Sequence, residues 1–282
     1  MKEYDMNIKI VADSSANIPA ELLPEVLTDP LKISTAEQDF VDDSALDVSA
    51  MLEHLAAFKG KSSTACPSVA EWLDCFEGGD WIFALTITSK LSGCYQSACI
   101  AADTYLEQHP DAKIWVIDTR STGPEMVMVI EKINELLADG SRSFEEVCDG
   151  VKEYQKHVHL LFALASMNNL ARNGRIPLAL AKAIGFLNLR IIGLAKEGDI
   201  HPLHKARGDK KTVLQIWESM QELGFAGGRC RISYTEDRTN ADALAALIRG
   251  KYPDCDLLLM PNRGLCAYYS EYGGMILGFE CA

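Results

Sequence analysis

Apolar residues along the chain fall into two rhythms that predict alternating strands and helices. Residues 8–12, 81–85 and 113–118 are short apolar runs of strand type. Each runs into a polar stretch: Asp13-Ser14-Ser15-Ala16-Asn17, Thr86-Ile87-Thr88-Ser89, and Thr119-Arg120-Ser121-Thr122. Helical spacing is predicted over 48–58, with Met51, Leu52, Leu55 and Phe58 on one face, and over 126–137 and 144–157. A hydroxyl-rich loop over 61–68 contains Thr64, and its Ser68 is placed to cap a helix through Trp72, Leu73 and Phe76. Residues 31–34 and 38–41 read as short strands, and 20–23 as a helix start behind an Asx-turn. Strand, polar loop, helix therefore recurs at Asp13, Ser89 and Thr119. That order predicts a parallel sheet with its loops gathered at one end, and Thr64 is placed at that end.

The stretch Leu91-Ser92-Gly93-Cys94-Tyr95-Gln96-Ser97-Ala98 joins such a strand to a helix. A helix start exposes backbone N–H groups and favours negative charge. Ser92 and Gly93 thus begin an anion site, or Ser92 simply caps the helix; the residues leave both readings open.

The rhythm changes near residue 160. Strands are predicted over 160–165, 190–196, 200–203, 229–234, 256–260 and 273–280, and helices over 179–186, 212–223 and 241–251. Asn173-Gly174 marks a turn, and Glu197-Gly198-Asp199 a tight hairpin. The expectation is an α/β protein of two domains: residues 1–159, with a parallel sheet and the Ser/Thr loops, and residues 160–282, an α+β domain on a mixed sheet.

Charge and chemistry narrow the function. The 282 residues carry a formal net charge of −13, against the clustered Lys and Arg that a nucleic-acid binder needs and against an anionic membrane surface. No apolar run approaches the ~20 residues of a membrane span, and the first residues lack the apolar core of a signal peptide. The nine cysteines form no C-x-x-C pair, so reduced thiols in a cytoplasm are expected. The six histidines, His157/His159 and His201/His204 among them, have no carboxylate or Cys at ligand spacing, and no metal site is expected. His157 and His159 would share one face of a strand. The G-x-S-x-G, G-x-G-x-x-G and P-loop patterns do not occur. What recurs is hydroxyls beside backbone N–H groups. These hold a carboxylate or phosphate well and do little acid–base work, which favours a binding protein over a catalyst. Arg175, after the Asn-Gly turn, and Arg207, in Lys205-Ala206-Arg207-Gly208, are either solvated charges or contacts for a phosphate or a partner protein.

Five separated motifs together resemble the DegV family of bacterial fatty-acid-binding proteins: Asp13-Ser14-Ser15-Ala16-Asn17-Ile18-Pro19, Thr64-Ala65-Cys66-Pro67-Ser68, the Leu91 to Ala98 stretch, Asn169-Leu170-Ala171-Arg172-Asn173-Gly174-Arg175-Ile176, and Gly273-Gly274-Met275-Ile276-Leu277-Gly278-Phe279-Glu280. The resemblance spans essentially the whole chain. It implies a two-domain α/β fold with a long-chain fatty acid, such as palmitate, in a tunnel between the domains. It implies no cofactor and no catalytic residue of the chain's own. It also implies hydroxyl contacts from Thr64 and Ser92 to the acyl carboxylate, with the Gly93 N–H nearby. A separate fatty-acid kinase would receive the presented carboxylate, with Arg175 and Arg207 at that partner.

Two positions depart from the family pattern. Ala65 and Cys66 replace a Ser and a Gln. Asn262-Arg263-Gly264-Leu265-Cys266 stands where many members carry His-x-Gly-Pro-Gly, whose His contacts the carboxylate. Asn262 would donate a hydrogen bond there and Arg263 would pair with the carboxylate. The alternatives are an enzyme acting on a small carboxylate or phosphate at the same loops, and a lipid sensor without handover. Phe162, Ile184, Leu187 and Ile192 are candidates either for the tunnel wall or for plain core.

Overall fold

The computed structural model describes residues 6–19, 21–179, 181 and 189–282. In chain order the first part comprises β1 (Ile8–Asp13), β2 (Leu27–Asp29), β3 (Lys32–Ser34), β4 (Asp39–Val41), α1 (Val48–Ala57), β5 (Ser63–Ala65), α2 (Val69–Phe76), β6 (Trp81–Thr86), α3 (Cys94–Gln108), β7 (Lys113–Asp118), α4 (Pro124–Leu137) and α5 (Phe144–Tyr154). The second part comprises β8 (Val158–Leu164), α6 (Asn168–Arg172), β9 (Arg190–Lys196), β10 (Asp199–Ala206), α7 (Asp209–Glu222), β11 (Phe225–Tyr234), α8 (Thr239–Lys251), β12 (Leu257–Pro261), α9 (Gly264–Ser270) and β13 (Met275–Cys281). The helix expected over 179–186 falls almost wholly outside the described residues, as do Ile184 and Leu187.

The first sheet has the order β2-β1-β6-β7 and every pairing in it is parallel. Its two central strands, β1 and β6, are largely buried on both faces, which is why they read as mostly apolar runs. One face packs on α4 and α5 through Phe83, Leu85, Ile130 and Val147. The other packs on α2 and α3 through Val11, Trp72, Phe76 and Ala98. The second sheet is mixed, in the order β10-β9-β8-β13-β11-β12, antiparallel except for the β11–β12 pair. Its β9–β10 turn puts Glu197 at φ 52° and Gly198 at φ 88°, the backbone a two-residue hairpin needs. The fold is thus α/β, with a parallel N-terminal sheet and a mixed C-terminal sheet.

Three local differences from the sequence reading have plain causes. No helix forms over Glu21–Leu23, where Pro24 follows and disfavours helical backbone in the residue before it. The loop around Thr64 is instead an edge strand, β5, completing a small antiparallel sheet ordered β4-β3-β5. The helix that starts at Phe144 ends at Tyr154, and a 3-10 turn over Gln155–His157 takes His157 off the strand that carries His159.

The two parts are joined by shared packing. Helix α4 is apolar almost all round, and Pro124, Glu125, Met126, Val127, Met128, Val129 and Ile130 are all buried, so it serves as a layer between the sheets. Arg231 on β11 donates to Glu131 on α4 (Nη2 to Oε1, 3.0 Å) and to Asp256 (Nη2 to Oδ2, 2.7 Å). Tyr268 and Ala267 of α9 pack with Ile33, Phe40 and Met51 of the first part. The six-stranded sheet starts at Val158, so the expected boundary at 159/160 falls inside its first strand.

Candidate functional site

The loops at the carboxyl ends of the parallel strands are tied to one another by side-chain hydrogen bonds. Asp13, at the end of β1, accepts from the Ile87 N–H after β6 (2.7 Å) and from Ser15 N (3.1 Å). Its carboxyl is fully buried, and burial outweighs these hydrogen bonds and pushes its pKa up to about 6. Asp118, at the end of β7, accepts from Ser89 N (3.1 Å) and Ser89 Oγ (2.5 Å). The hairpin tip of the second part closes on the same edge, where Thr88 Oγ1 donates to Gly198 O at 2.9 Å.

A cavity lies between this edge and the six-stranded sheet. About 890 Å³ of space between atoms lies there, part of it open solvent. The place is the one where open parallel sheets bind ligands. Much of the wall from the second part is apolar, although Arg175, Asp199, Tyr269 and Ser270 also border it. Strand β8 sends Leu160, Phe162 and Leu164 into it, while Leu161 and Ala163 point into the opposite core, the period-2 division of a strand buried on both sides. Ile276, Ala195 and Ile200 extend this wall. Gly193 lies opposite Phe162, and a Cβ there would come within 2.2 Å of the ring, so the glycine lets Phe162 lie across β9.

Several polar residues border the cavity, yet most are already engaged with protein. Ser121 Oγ donates to Glu125 (2.8 Å), Thr122 Oγ1 to Ser15 O (3.2 Å), and Thr88 to Gly198 as above. Glu125 is fully buried, which pushes its pKa up to about 7 against the pull of Ser121. These hydroxyls therefore turn away and leave carbon facing inward. Arg120 and Asp199 also border the cavity, and one group of hydroxyls beside a guanidinium is formed by Thr64 on β5, Ser92 before α3, Arg175 after α6 and Tyr269 on α9. Thr64 Oγ1 and the Tyr269 hydroxyl are 2.8 Å apart. Ser92 Oγ accepts from Cys94 N at 3.3 Å, so it braces the first turn of α3 from one residue outside the cap, which is Gly93. The loop of Thr64 rests on the start of α3, where Ser97 Oγ donates to Pro67 O (2.9 Å) and a Cβ on Gly93 would meet Cys66 Sγ at 3.5 Å. The Cys94 thiol is held well above its ordinary value by its contact with Cys66 and by burial beside Asp13.

Of the residues singled out in the sequence, Thr64, Ser92 and Arg175 border the cavity, and Gly93 adjoins it as the cap of α3. Arg175 is half-buried; its guanidinium donates to Leu91 O (3.0 Å) and Asn173 O (2.6 Å), so it braces the Ser92 loop. Arg207 is exposed at the end of β10, away from the lining. Asn262 and Arg263 do not border the cavity. The buried Asn262 amide donates to Thr235 Oγ1 (2.9 Å) and Ser270 Oγ (3.2 Å), and Arg263 is turned out toward Asp43 O (2.5 Å). Both are held by the local course of the chain. Asp42 accepts from Leu265 N (2.9 Å), and a Cβ on Gly264 would come within 2.3 Å of its carboxylate, so the chain must pass close to Asp42 here.

Tyr269 borders the cavity beside Thr64 and was not singled out in the sequence. It lies on the short helix α9, whose cap residue, Arg263, makes no side-chain cap bond and whose start is held by Asp42, distant in sequence. Local pattern carries no signal for such a helix. Among the described residues no three His, Cys, Asp or Glu side chains come together as a metal site would need, and no helix is long and apolar enough to cross a membrane. The nine cysteines are free thiols.

Comparison with known proteins places this arrangement. A family model described as an uncharacterised protein of the DegV family matches residues 7–275. A DegV domain-containing protein of Streptococcus pneumoniae is 41% identical over 280 residues, which is 98% of this chain and 99% of that one. The crystal structure of the fatty acid kinase (Fak) B3 protein of Streptococcus pneumoniae, loaded with linoleic acid, matches with a TM-score of 0.94 at 40% identity, covering 98% of this chain and 100% of that one. A DegV family protein of Eubacterium eligens loaded with heptadecanoic acid matches with a TM-score of 0.93 at 39% identity, over the same shares of both chains.

Proposed function

The chain belongs to the DegV family, and on that premise we propose that it binds one long-chain fatty acid, with the acyl chain in the cavity between its two parts and the carboxylate at the Thr64–Ser92 end. The observation that carries this reading is the division of the cavity. Carbon from β8, β9, β10 and β13 lines much of it, and the hydroxyls of Thr64, Ser92 and Tyr269 gather at one end beside Arg175. An acyl chain gains about 0.8 kcal/mol per buried CH₂, so the chain supplies most of the affinity. A carboxylate loses several kcal/mol on burial unless donors meet it. Two hydroxyls, the open first turn of α3 and a nearby guanidinium supply them.

The chain acts as a carrier with no catalytic residue of its own and no cofactor, in the cytoplasm. Its partner is a fatty-acid kinase that phosphorylates the presented carboxylate, a reading supported by the name of the similar pneumococcal protein. The exposed Arg207 is offered to that partner. Arg175, braced on Leu91 and Asn173, serves both the partner and the shape of the carboxylate end. Residues 1–159 and 160–282 are the two domains that enclose the ligand.

Replacing Thr64 and Ser92 together by Ala is expected to lower palmitate affinity by about 2–3 kcal/mol, the worth of one to two hydrogen bonds to a charged group, or roughly 30- to 150-fold. Displacement of a fluorescent fatty acid measures it, with the far-ultraviolet dichroism unchanged. Wild-type affinity in the double variant would remove these two residues from the site.

A further inference from the structure

We infer that Tyr269 is a third hydroxyl donor to the ligand carboxylate, presented to it by the hydrogen bond with Thr64. This rests on the fatty-acid reading above and adds to it a residue that neither sequence pattern nor the family motifs mark.

The argument is a count of protons. The chain places two tyrosines side by side on α9, their rings 4.8 Å apart and nearly perpendicular. The Tyr268 hydroxyl is occupied on two sides: it lies 2.6 Å from Ser62 Oγ and accepts from Asn173 Nδ2 at 2.8 Å. The Tyr269 hydroxyl faces Thr64 Oγ1 at 2.8 Å. Thr64 and Tyr269 bring one O–H proton each, and only one proton can lie between the two oxygens. Among the described residues neither oxygen has another protein partner. The second O–H is therefore directed onward, and both residues border the cavity.

An ionised carboxylate is an acceptor only, and bonds to it are shorter and stronger than neutral ones. It fits the free donor of this pair. A fatty alcohol or an ester places a weaker acceptor there. Asn262 and Arg263 cannot take the role. The Asn262 amide N–H groups are spent on Thr235 and Ser270, and the Arg263 guanidinium lies on Asp43 O. Burial raises the Tyr269 pKa, against the opposing effects of Thr64 and Arg175, so the phenol keeps its proton and stays a donor at neutral pH. No histidine borders the cavity among the described residues.

Titration of wild type, Tyr269→Phe and Thr64→Val with palmitate and with methyl palmitate tests the assignment, alongside thermal melts. Wild type is expected to prefer the acid. Tyr269→Phe is expected to lose about tenfold for palmitate and to hold methyl palmitate within about twofold. Thr64→Val, which removes the other half of the pair, is expected to show the same selective loss. Palmitate affinity within twofold of wild type in a folded Tyr269→Phe would overturn the role of Tyr269 and leave the fatty-acid reading standing. If that variant melts early, an unchanged acid preference in Thr64→Val overturns the presented-donor pair instead. Failure of the wild type to bind palmitate at all would overturn the reading beneath.

Discussion

Ala195→Trp is expected to lower palmitate affinity about a hundredfold while the fold survives. Ala195 sits on β9, pairs with Ile200 on β10, and borders the cavity opposite the edge of the parallel sheet. Its methyl is part of the apolar wall, and an indole there occupies space that the acyl chain would fill. Displacing about four methylenes at about 0.8 kcal/mol each costs about 3 kcal/mol, a little over two decades in affinity. The substitution leaves Thr64, Ser92 and Tyr269 untouched, so short acids such as hexanoate should bind as weakly as before. Equal palmitate affinity in the variant and wild type would show that the chain does not run past Ala195.

The largest effect on stability is expected from Arg231→Ala. Arg231 is buried on β11 and is held by Glu131 of α4 and by Asp256. Glu131 is itself mostly buried, and burial raises its pKa even with Arg231 beside it. Arg229 lies 3.5 Å from Glu131 and 3.2 Å from Asp256, so removing Arg231 leaves them only partly compensated, and the loss is expected at the low end of the range for a broken buried pair, about 3 kcal/mol. The pH dependence has a definite sign. Without Arg231, the Glu131 carboxyl rises further, so its folded pKa stands above the unfolded one and stability is lost as pH increases. Asp256 is held below its ordinary value chiefly by Arg231, so wild type gains stability from it above the unfolded pKa, and the variant forfeits that gain. The difference between variant and wild type should therefore be larger at pH 8 than at pH 5 in urea melts. A loss under about 1 kcal/mol at pH 8 would mean that the cluster does not join the two parts.

Three strands of the parallel sheet and their loop edge were legible in the chain because each is a largely apolar run ending in Asp or Thr, whereas the short edge strand Leu27-Thr28-Asp29 carries no such pattern. Those terminal residues do the joining: Asp13 reaches Ile87, and Asp118 reaches Ser89. The type of hairpin at Glu197-Gly198 was legible for the same local reason, since Gly tolerates positive φ there. Thr64 and Ser92, which border the cavity, could be singled out because hydroxyls at a sheet edge are informative and because the motifs around them are specific. What escaped is held by partners far away in the chain. Helix α9 is started by Asp42, and it alone brings Tyr269 to Thr64. Asn262 and Arg263 occupy the segment expected to contact the ligand. Their directions are set by Thr235, Ser270 and Asp43, which no local pattern reveals. Composition pointed to binding over catalysis, but only the cavity shows which hydroxyls are spent on protein and which remain.

Native mass spectrometry of the protein incubated with one equivalent of palmitate tests the central claim most directly. The predicted result is a single adduct of one fatty acid per chain that survives gentle desolvation and is lost on organic extraction, with micromolar or tighter affinity. A spectrum showing only the unliganded mass, at micromolar palmitate and with no acyl chain recovered from the protein as purified, would contradict it.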